Sequence, residues 1–269
     1  MLNNNCYDGI LKSKTRESMG SLGKVDGCAI FWNRNKFRLA ENYGIEFNEC
    51  AKRVASTLNR GTERTNQYVH RLSKDNIAQI AVLEMLQKSR SSRIGANQIC
   101  VVNTHLYSNP ECPDVKLWQC HTLIQELQHF VMSREVSLLI CGDFNSLPSS
   151  GVYDLMSNCC VDSSHSDFSN DPCQVLPNYS EMTHSLHLKS SYAEIENEEP
   201  LYTNYTENFK GTLDYIWHST PNMRAVAVLK IPSESDIFSC GPNMPNVASS
   251  SDHIMLCADI QVNNTDIQS

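Results

Sequence analysis

Apolar and alternating runs recur along the chain at residues 28–32, 37–47, 77–86, 98–106 and 137–141, and again at 213–218, 225–231 and 253–262. They are rich in Val, Ile and aromatic residues and are bounded by Gly, Pro or Asn, the pattern of β-strands. One helix stands out over 113–134, where Val115, Trp118, Ile124, Leu127 and Val131 recur near a 3.6-residue period. Pro113 and Asp114 suit its first turn. A shorter helix is predicted over 150–156. Residues 48–71, 158–177 and 232–251 show no clear period and read as loops, long enough to be surface insertions or lids. No internal repeat is visible. Strands outnumber clear helices, which predicts one α/β unit, a mixed-sheet sandwich.

Composition narrows the class. Of the 269 residues, 41% are hydrophobic and 19% charged, enough apolar mass for a sizeable core and too much for a disordered chain. No apolar run approaches about 18 residues, so a membrane-spanning helix is not expected. The polar residues 1–7 lack the features of a signal peptide. The 12 cysteines include no C-x-x-C pair and fit neither a zinc ribbon nor a zinc finger. They read as reduced, mostly buried thiols of a cytosolic or nuclear protein. The net charge of −8 divides unevenly: residues 1–93 carry 16 Lys+Arg and 9 Asp+Glu, the rest 6 and 21. A basic first third suits a polyanion, and equally a solvated surface with local charge runs.

Four short constellations have chemical potential. In Cys141-Gly142-Asp143-Phe144-Asn145-Ser146 an apolar strand runs into an Asp and an Asn two apart. Strand period two puts both side chains on one side, at the strand's C-terminal end, where α/β active sites gather. Asp143 would orient water or bind a hard cation, and Asn145 would hydrogen-bond a phosphate oxygen. The same residues also cap turns after strands. Ser251-Asp252-His253 offers a general base beside a carboxylate, or a loop cap. His105, ending Asn103-Thr104-His105, is by itself an ordinary hydrogen-bonding residue. Asp214 opens an apolar strand in Gly211–Trp217, and a half-buried carboxylate there needs a partner such as a protonated His.

In this order, T-H-L, G-D-F-N-S, L-D-Y-I-W and S-D-H-I resemble the motif series of the endonuclease/exonuclease/phosphatase superfamily. The closer resemblance is to its carbon catabolite repressor 4-type deadenylases. It includes V-D-G-C-A-I-F at 25–31, L-S-K-D-N-I-A at 72–78, D-V-K-L at 114–117, L-K-S at 188–190 and T-N-Y-T-E-N-F-K-G at 203–211. It covers about residues 7–262. The resemblance implies two mixed β-sheets packed face to face with flanking helices, and a Mg²⁺- or Mn²⁺-dependent 3′→5′ exoribonuclease that shortens mRNA poly(A) tails. Asp143 would then activate water and help hold metal, with Asp252 beside the metal. Asn145 and His105 would contact the scissile phosphate. His253 would stabilise the transition state and Asp214 would orient it. Pro110 would lie close to the substrate behind His105, and Asn204 and Phe209 would recognise and stack adenine. Oxygen-rich ligands suit Mg²⁺ or Mn²⁺ rather than Zn²⁺.

The chain departs from the family in one place. Members carry an earlier segment whose strand ends in L-Q-E, and that Glu is the main metal ligand. No L-Q-E occurs here. Residues 1–262 are therefore expected to form one such domain lacking its first strands, with 263–269 a polar tail and a weakened metal site. The leucine-rich repeat region that docks the deadenylase scaffold is absent as well. Expected partners are single-stranded RNA, poly(A) in particular, and deadenylase complex subunits, with no membrane. The expected location is the cytoplasm and also the nucleus. Two other readings stay open: a 2′-phosphodiesterase or cyclic-phosphate phosphatase of the same fold, and a non-catalytic RNA- or protein-binding form.

Overall fold

The computed structural model describes residues 6–15, 26–58, 61–86, 97–132, 134 and 136–262. The predicted tail 263–269 lies outside the described residues. The chain opens with a hairpin of β1 (Tyr7–Ser13) and β2 (Gly27–Asn33). Next come β3 (Phe37–Glu46), α1 (Phe47–Thr57), α2 (Thr62–Leu72), β4 (Ile77–Met85), β5 (Gln98–His105), α3 (Pro113–Met132) and β6 (Ser137–Asp143). After α4 (Gly151–Asn158) and α5 (Ser166–Ser169) follow β7 (Leu188–Ser190), α6 (Ser191–Glu196), β8 (Asn204–Tyr205), β9 (Lys210–Gly211) and β10 (Asp214–Ser219). The chain closes with β11 (Met223–Val228), α7 (Glu234–Cys240) and β12 (Ala258–Val262).

A six-stranded mixed sheet of order β3-β4-β5-β6-β10-β7 is the centre of the fold. Only β5 and β6 run parallel in it, joined by α3 as a crossover. Period two sorts the strand residues onto two faces. Ala78, Ile80, Cys100, Val102, Leu138, Ile140, Tyr215 and Trp217 face α1 to α4 and form the main core with Val115, Trp118, Ile124 and Leu127 of α3. The opposite face presents Ala81, Leu83 and Val101, and the β1–β2 hairpin packs on it through Ile30 and Trp32. Asn103 ties the two layers by donating from its Nδ2 to the Ala29 carbonyl at 3.0 Å. A second antiparallel pair, β11–β12, lies beside α6 and β10. The chain is thus an α/β fold with a central mixed sheet, strand pairs as a further layer and flanking helices.

Two predicted loops are helical. Residues 48–71 form most of α1 and α2. The inward stripe of α1 is Phe47, Cys50, Ala51 and Ala55, at helical spacing and clearly one-sided, though polar residues outnumber it and keep the mean hydropathy of the segment low. In α2 only Tyr68 and Leu72, four apart, are buried. Within 232–251, α7 is started by a capping box in which Ser233 and Asp236 exchange hydrogen bonds. The last predicted strand shortens to β12, because 252–254 is pinned to the 203–205 segment instead. All 12 cysteines are free thiols, but five are buried and seven half-buried or exposed, so "mostly buried" is too strong. No helix among the described residues is long and apolar enough to cross a membrane.

Candidate active site

Strand register assembles the centre of the site. His105 of β5 pairs with Asp143 of β6, and Asp143 pairs with Asp214 of β10. Three reactive side chains therefore stand side by side across three neighbouring strands, on the face that carries the hairpin. One-residue slippage of any of these strands would turn its side chain to the helical face. At the preceding step Thr104 pairs with Gly142, whose φ is +144°. A β-carbon there would lie 1.9 Å from the Thr104 carbonyl oxygen, so only glycine lets β6 approach β5 at this point.

His253 arrives from the C-terminal loop. Asn204 and His253 form an isolated bridge, the Tyr205 N–H donates to the Asp252 carbonyl at 3.1 Å, and the Ile254 N–H donates to the Thr203 carbonyl at 2.7 Å. This lacing sets His253 Nδ1 2.8 Å from Asp214 Oδ2. Thr203 Oγ1 donates to the same oxygen at 2.7 Å and accepts the N–H groups of Leu213 and Asp214. The Nε2 of His253 lies 3.8 Å from Asp143 Oδ2, and His105 Nε2 lies 3.5 Å from that oxygen.

The two histidines are in opposite electrostatic states. The hydrogen bond to Asp214 holds the His253 imidazole up at about 9, against the opposing effect of burial. Burial, helped by the Lys14 ammonium, pushes His105 down to about 4. At neutral pH the first is an imidazolium and the second a neutral ring. Burial beside the Asp214 carboxylate raises Asp143 to about 7. Paired titratable groups driven apart in this way are the mark of acid–base machinery.

Asn145 turns out of β6 with φ +48°. Its N–H donates to Asp143 Oδ1 at 2.8 Å, its Nδ2 donates to the Leu106 carbonyl at 3.0 Å, and the ammonium of the buried Lys116 donates to its backbone carbonyl at 2.8 Å. Asn204 is buried and donates from Nδ2 to Asp252 Oδ2 at 3.3 Å. Phe209 is 39% exposed. It lies with Leu147 over Gly211, where a β-carbon would sit 2.9 and 2.7 Å from the two side chains. Pro110 is on an exposed turn between β5 and α3, with no described contact to the cluster. Thus His105, Asp143, Asn145, Asp214 and His253 meet, Asn204 and Asp252 join them through the bridge, and Phe209 and Pro110 stand apart. Sequence reasoning assigned no role to Thr203, Lys14 or Lys116. Thr203 and Lys116 lie inside the quoted stretches at 203–211 and 114–117, whereas no quoted motif includes Lys14.

A ligand atom from each of Asp143, Asp214 and His253 lies within 4.8 Å of the others. Asp214 Oδ2 and His253 Nδ1 already satisfy each other. Asp143 Oδ2, with ring nitrogens only at 3.5 and 3.8 Å, is the oxygen open to a hard cation. Two neighbouring carboxylates in a desolvated site favour such a cation, and the donor set fits Mg²⁺ or Mn²⁺.

The family model described as Endonuclease/Exonuclease/phosphatase family matches residues 7–253. Over 276 residues the chain is 35% identical to the Carbon catabolite repressor protein 4 homolog 1 of Arabidopsis thaliana, covering 95% of this chain and 46% of that protein. It is 36% identical to the probable CCR4-Not complex 3′-5′-exoribonuclease subunit Ccr4 of Encephalitozoon cuniculi, covering 97% of this chain and 49% of that one. The chain spans about half the length of these curated relatives. The crystal structure of ANGEL2, a 2′,3′-cyclic phosphatase, shares the fold with a TM-score of 0.70 at 23% identity, over 98% of this chain and 77% of that one.

Proposed function

The chain belongs to the Endonuclease/Exonuclease/phosphatase family, and from that premise we propose that it is a divalent-metal-dependent 3′→5′ exoribonuclease that shortens poly(A) tails. The observation that carries this reading is the in-register His105–Asp143–Asp214 row closed by His253. The names of the relatives support RNA as substrate and the subunits of a CCR4-Not type complex as partners. The location that goes with this reading is the cytoplasm and also the nucleus.

In this reading Asp143 would hold Mg²⁺ or Mn²⁺ through Oδ2, with Asp252 contributing beside it. A bound divalent cation supplies charge neutralisation at the phosphate. Asp143 would also orient the attacking water and take its proton. Water adds to phosphorus, the bond from phosphorus to the 3′-oxygen breaks, and that oxygen takes up a proton from solvent, leaving an adenylate and a shortened RNA with a 3′-hydroxyl. The His253 imidazolium, fixed by Asp214, stabilises the charge that builds on the phosphoryl oxygens. His105 and the Asn145 amide donate N–H groups to the same phosphate. Phe209 offers an exposed ring for stacking the terminal base.

The test is a panel of 5′-labelled RNAs that end in oligo(A), oligo(U), a 2′-5′ linkage or a 2′,3′-cyclic phosphate. The reading expects stepwise removal of 3′ adenylates in preference to the others. Preference for the cyclic phosphate or the 2′-5′ linkage would replace it with a phosphatase or 2′-phosphodiesterase reading.

A further inference from the structure

We propose that Lys14 is a positioning residue of this site, whose buried ammonium fixes the His105 ring in the tautomer that carries its hydrogen on Nε2, toward Asp143. Lys14 follows β1, and its backbone N–H donates to the Asp26 carbonyl at 2.9 Å, closing the base of the β1–β2 hairpin. Its side chain is 5% exposed. The ammonium lies 3.3 Å from Asp26 Oδ2 and 3.5 Å from His105 Nδ1. The hairpin therefore does more than cover the sheet: the end where β1 passes into the connection to β2 carries a cation into the row of site residues.

The assignment follows from donor chemistry. An ammonium has three N–H donors and no acceptor. A ring nitrogen in contact with it can only accept, so Nδ1 of His105 bears no hydrogen and Nε2 bears it. That Nε2 faces Asp143 Oδ2 at 3.5 Å. His253 is an imidazolium with hydrogen on both nitrogens, its Nδ1 donating to the Asp214 carboxylate at 2.8 Å. Asp143 is thus flanked by two ring nitrogens whose hydrogens are placed by two different partners, Lys14 on one side and Asp214 on the other. Asp26 supplies the countercharge that makes a buried ammonium tolerable. A role confined to closing the hairpin needs the Asp26 contact alone and leaves the approach to His105 unexplained. Among the described residues, the charged and titratable groups around His105 are Lys14, Asp26, Cys28, Asp143, Asp214 and His253.

The inference rests on the exoribonuclease reading for its kinetic test but not for its structural one. Long-range ¹H–¹⁵N spectra of the full chain, labelled at histidine and held in EDTA, distinguish a protonated ring nitrogen from a bare one. In the wild type His105 should show a bare Nδ1 and a protonated Nε2. Lys14→Met should convert this to a mixture with hydrogen on Nδ1, and Lys14→Arg, which keeps a cationic donor, should restore it. In RNA shortening, Lys14→Met should lower kcat on the order of tenfold to a hundredfold with KM changed less than about twofold. A wild-type His105 with its hydrogen on Nδ1 overturns the inference, whether or not any variant folds. So does a Lys14→Met protein whose His105 nitrogens are unchanged. A wild type with the expected tautomer and no nuclease activity would refute the functional reading and leave this one standing.

Discussion

Asp214→Asn keeps the shape of the side chain and removes the charge that holds His253. In the native site Asp214 Oδ2 accepts from His253 Nδ1 at 2.8 Å and from Thr203 Oγ1 at 2.7 Å. This contact lifts the imidazole from 6.5 to about 9. At roughly 1.4 kcal/mol per tenfold change in proton affinity, the difference is about 3 kcal/mol. With the His253 side chain 29% exposed, solvent screening reduces the share felt by folding to about 1–2 kcal/mol. The folded value lies above the unfolded one, so the stabilisation is complete below pH 6.5 and is lost as pH rises through about 9. Asp143, raised from 3.8 to about 7, acts in a lower window. Urea unfolding in EDTA at about pH 7.5, above the Asp143 window, and at about pH 10 should therefore show a loss of about 1 kcal/mol in the wild type that the Asn variant lacks. Histidine proton NMR should find His253 titrating near 9 in the wild type and falling toward its ordinary value of 6.5 in the variant. A variant in which His253 still titrates near 9 would refute the assignment of Asp214 as its cause.

Three further outcomes are expected. Gly142→Ala places a β-carbon 1.9 Å from the Thr104 carbonyl oxygen at a φ of +144°, and should cost at least about 3 kcal/mol in urea unfolding; a loss below about 1 kcal/mol would show that β5 and β6 can separate freely there. Arg71→Met strips the bidentate partner, at 2.8 and 2.9 Å, from the fully buried Asp114. It should destabilise by about 3–5 kcal/mol, checked by its thermal and urea midpoints. Phe209→Ala removes a ring that is 39% exposed, so the thermal midpoint should stay within about 2 °C while KM for an adenylate end rises roughly 5- to 100-fold; unchanged KM would remove Phe209 from the binding surface.

The parts legible in the sequence are those where one local pattern decides. Continuous apolar runs marked β4, β5 and β6 because these strands are covered on both faces. The period in α3 marked the helix that crosses between β5 and β6. By contrast β1 was invisible, since most of its residues face solvent and its alternation carries no hydropathy contrast. The helix α1 reads as a loop by its low mean hydropathy, although Phe47, Cys50, Ala51 and Ala55 mark one face at helical spacing. At the site, Asp143, Asp214 and His105 could be singled out as polar residues at strand ends. That they stand in one row could not, because register depends on the pairing of strands far apart in sequence. Thr203 and Lys14 act through contacts that span 11 and 91 residues, and nothing local to either marks the partner.

The central claim is that this cluster hydrolyses RNA from the 3′ end with a divalent cation and Asp143. Its most direct test is a time course of 5′-labelled RNA ending in poly(A), incubated with the full chain in Mg²⁺, in EDTA, and as Asp143→Ala in Mg²⁺. Circular dichroism would establish that both proteins are folded. The account predicts a ladder of products shortened one nucleotide at a time in Mg²⁺, and intact RNA in both other reactions. Intact RNA with folded wild-type protein in Mg²⁺, or a ladder that persists in the Asp143→Ala reaction, would contradict it.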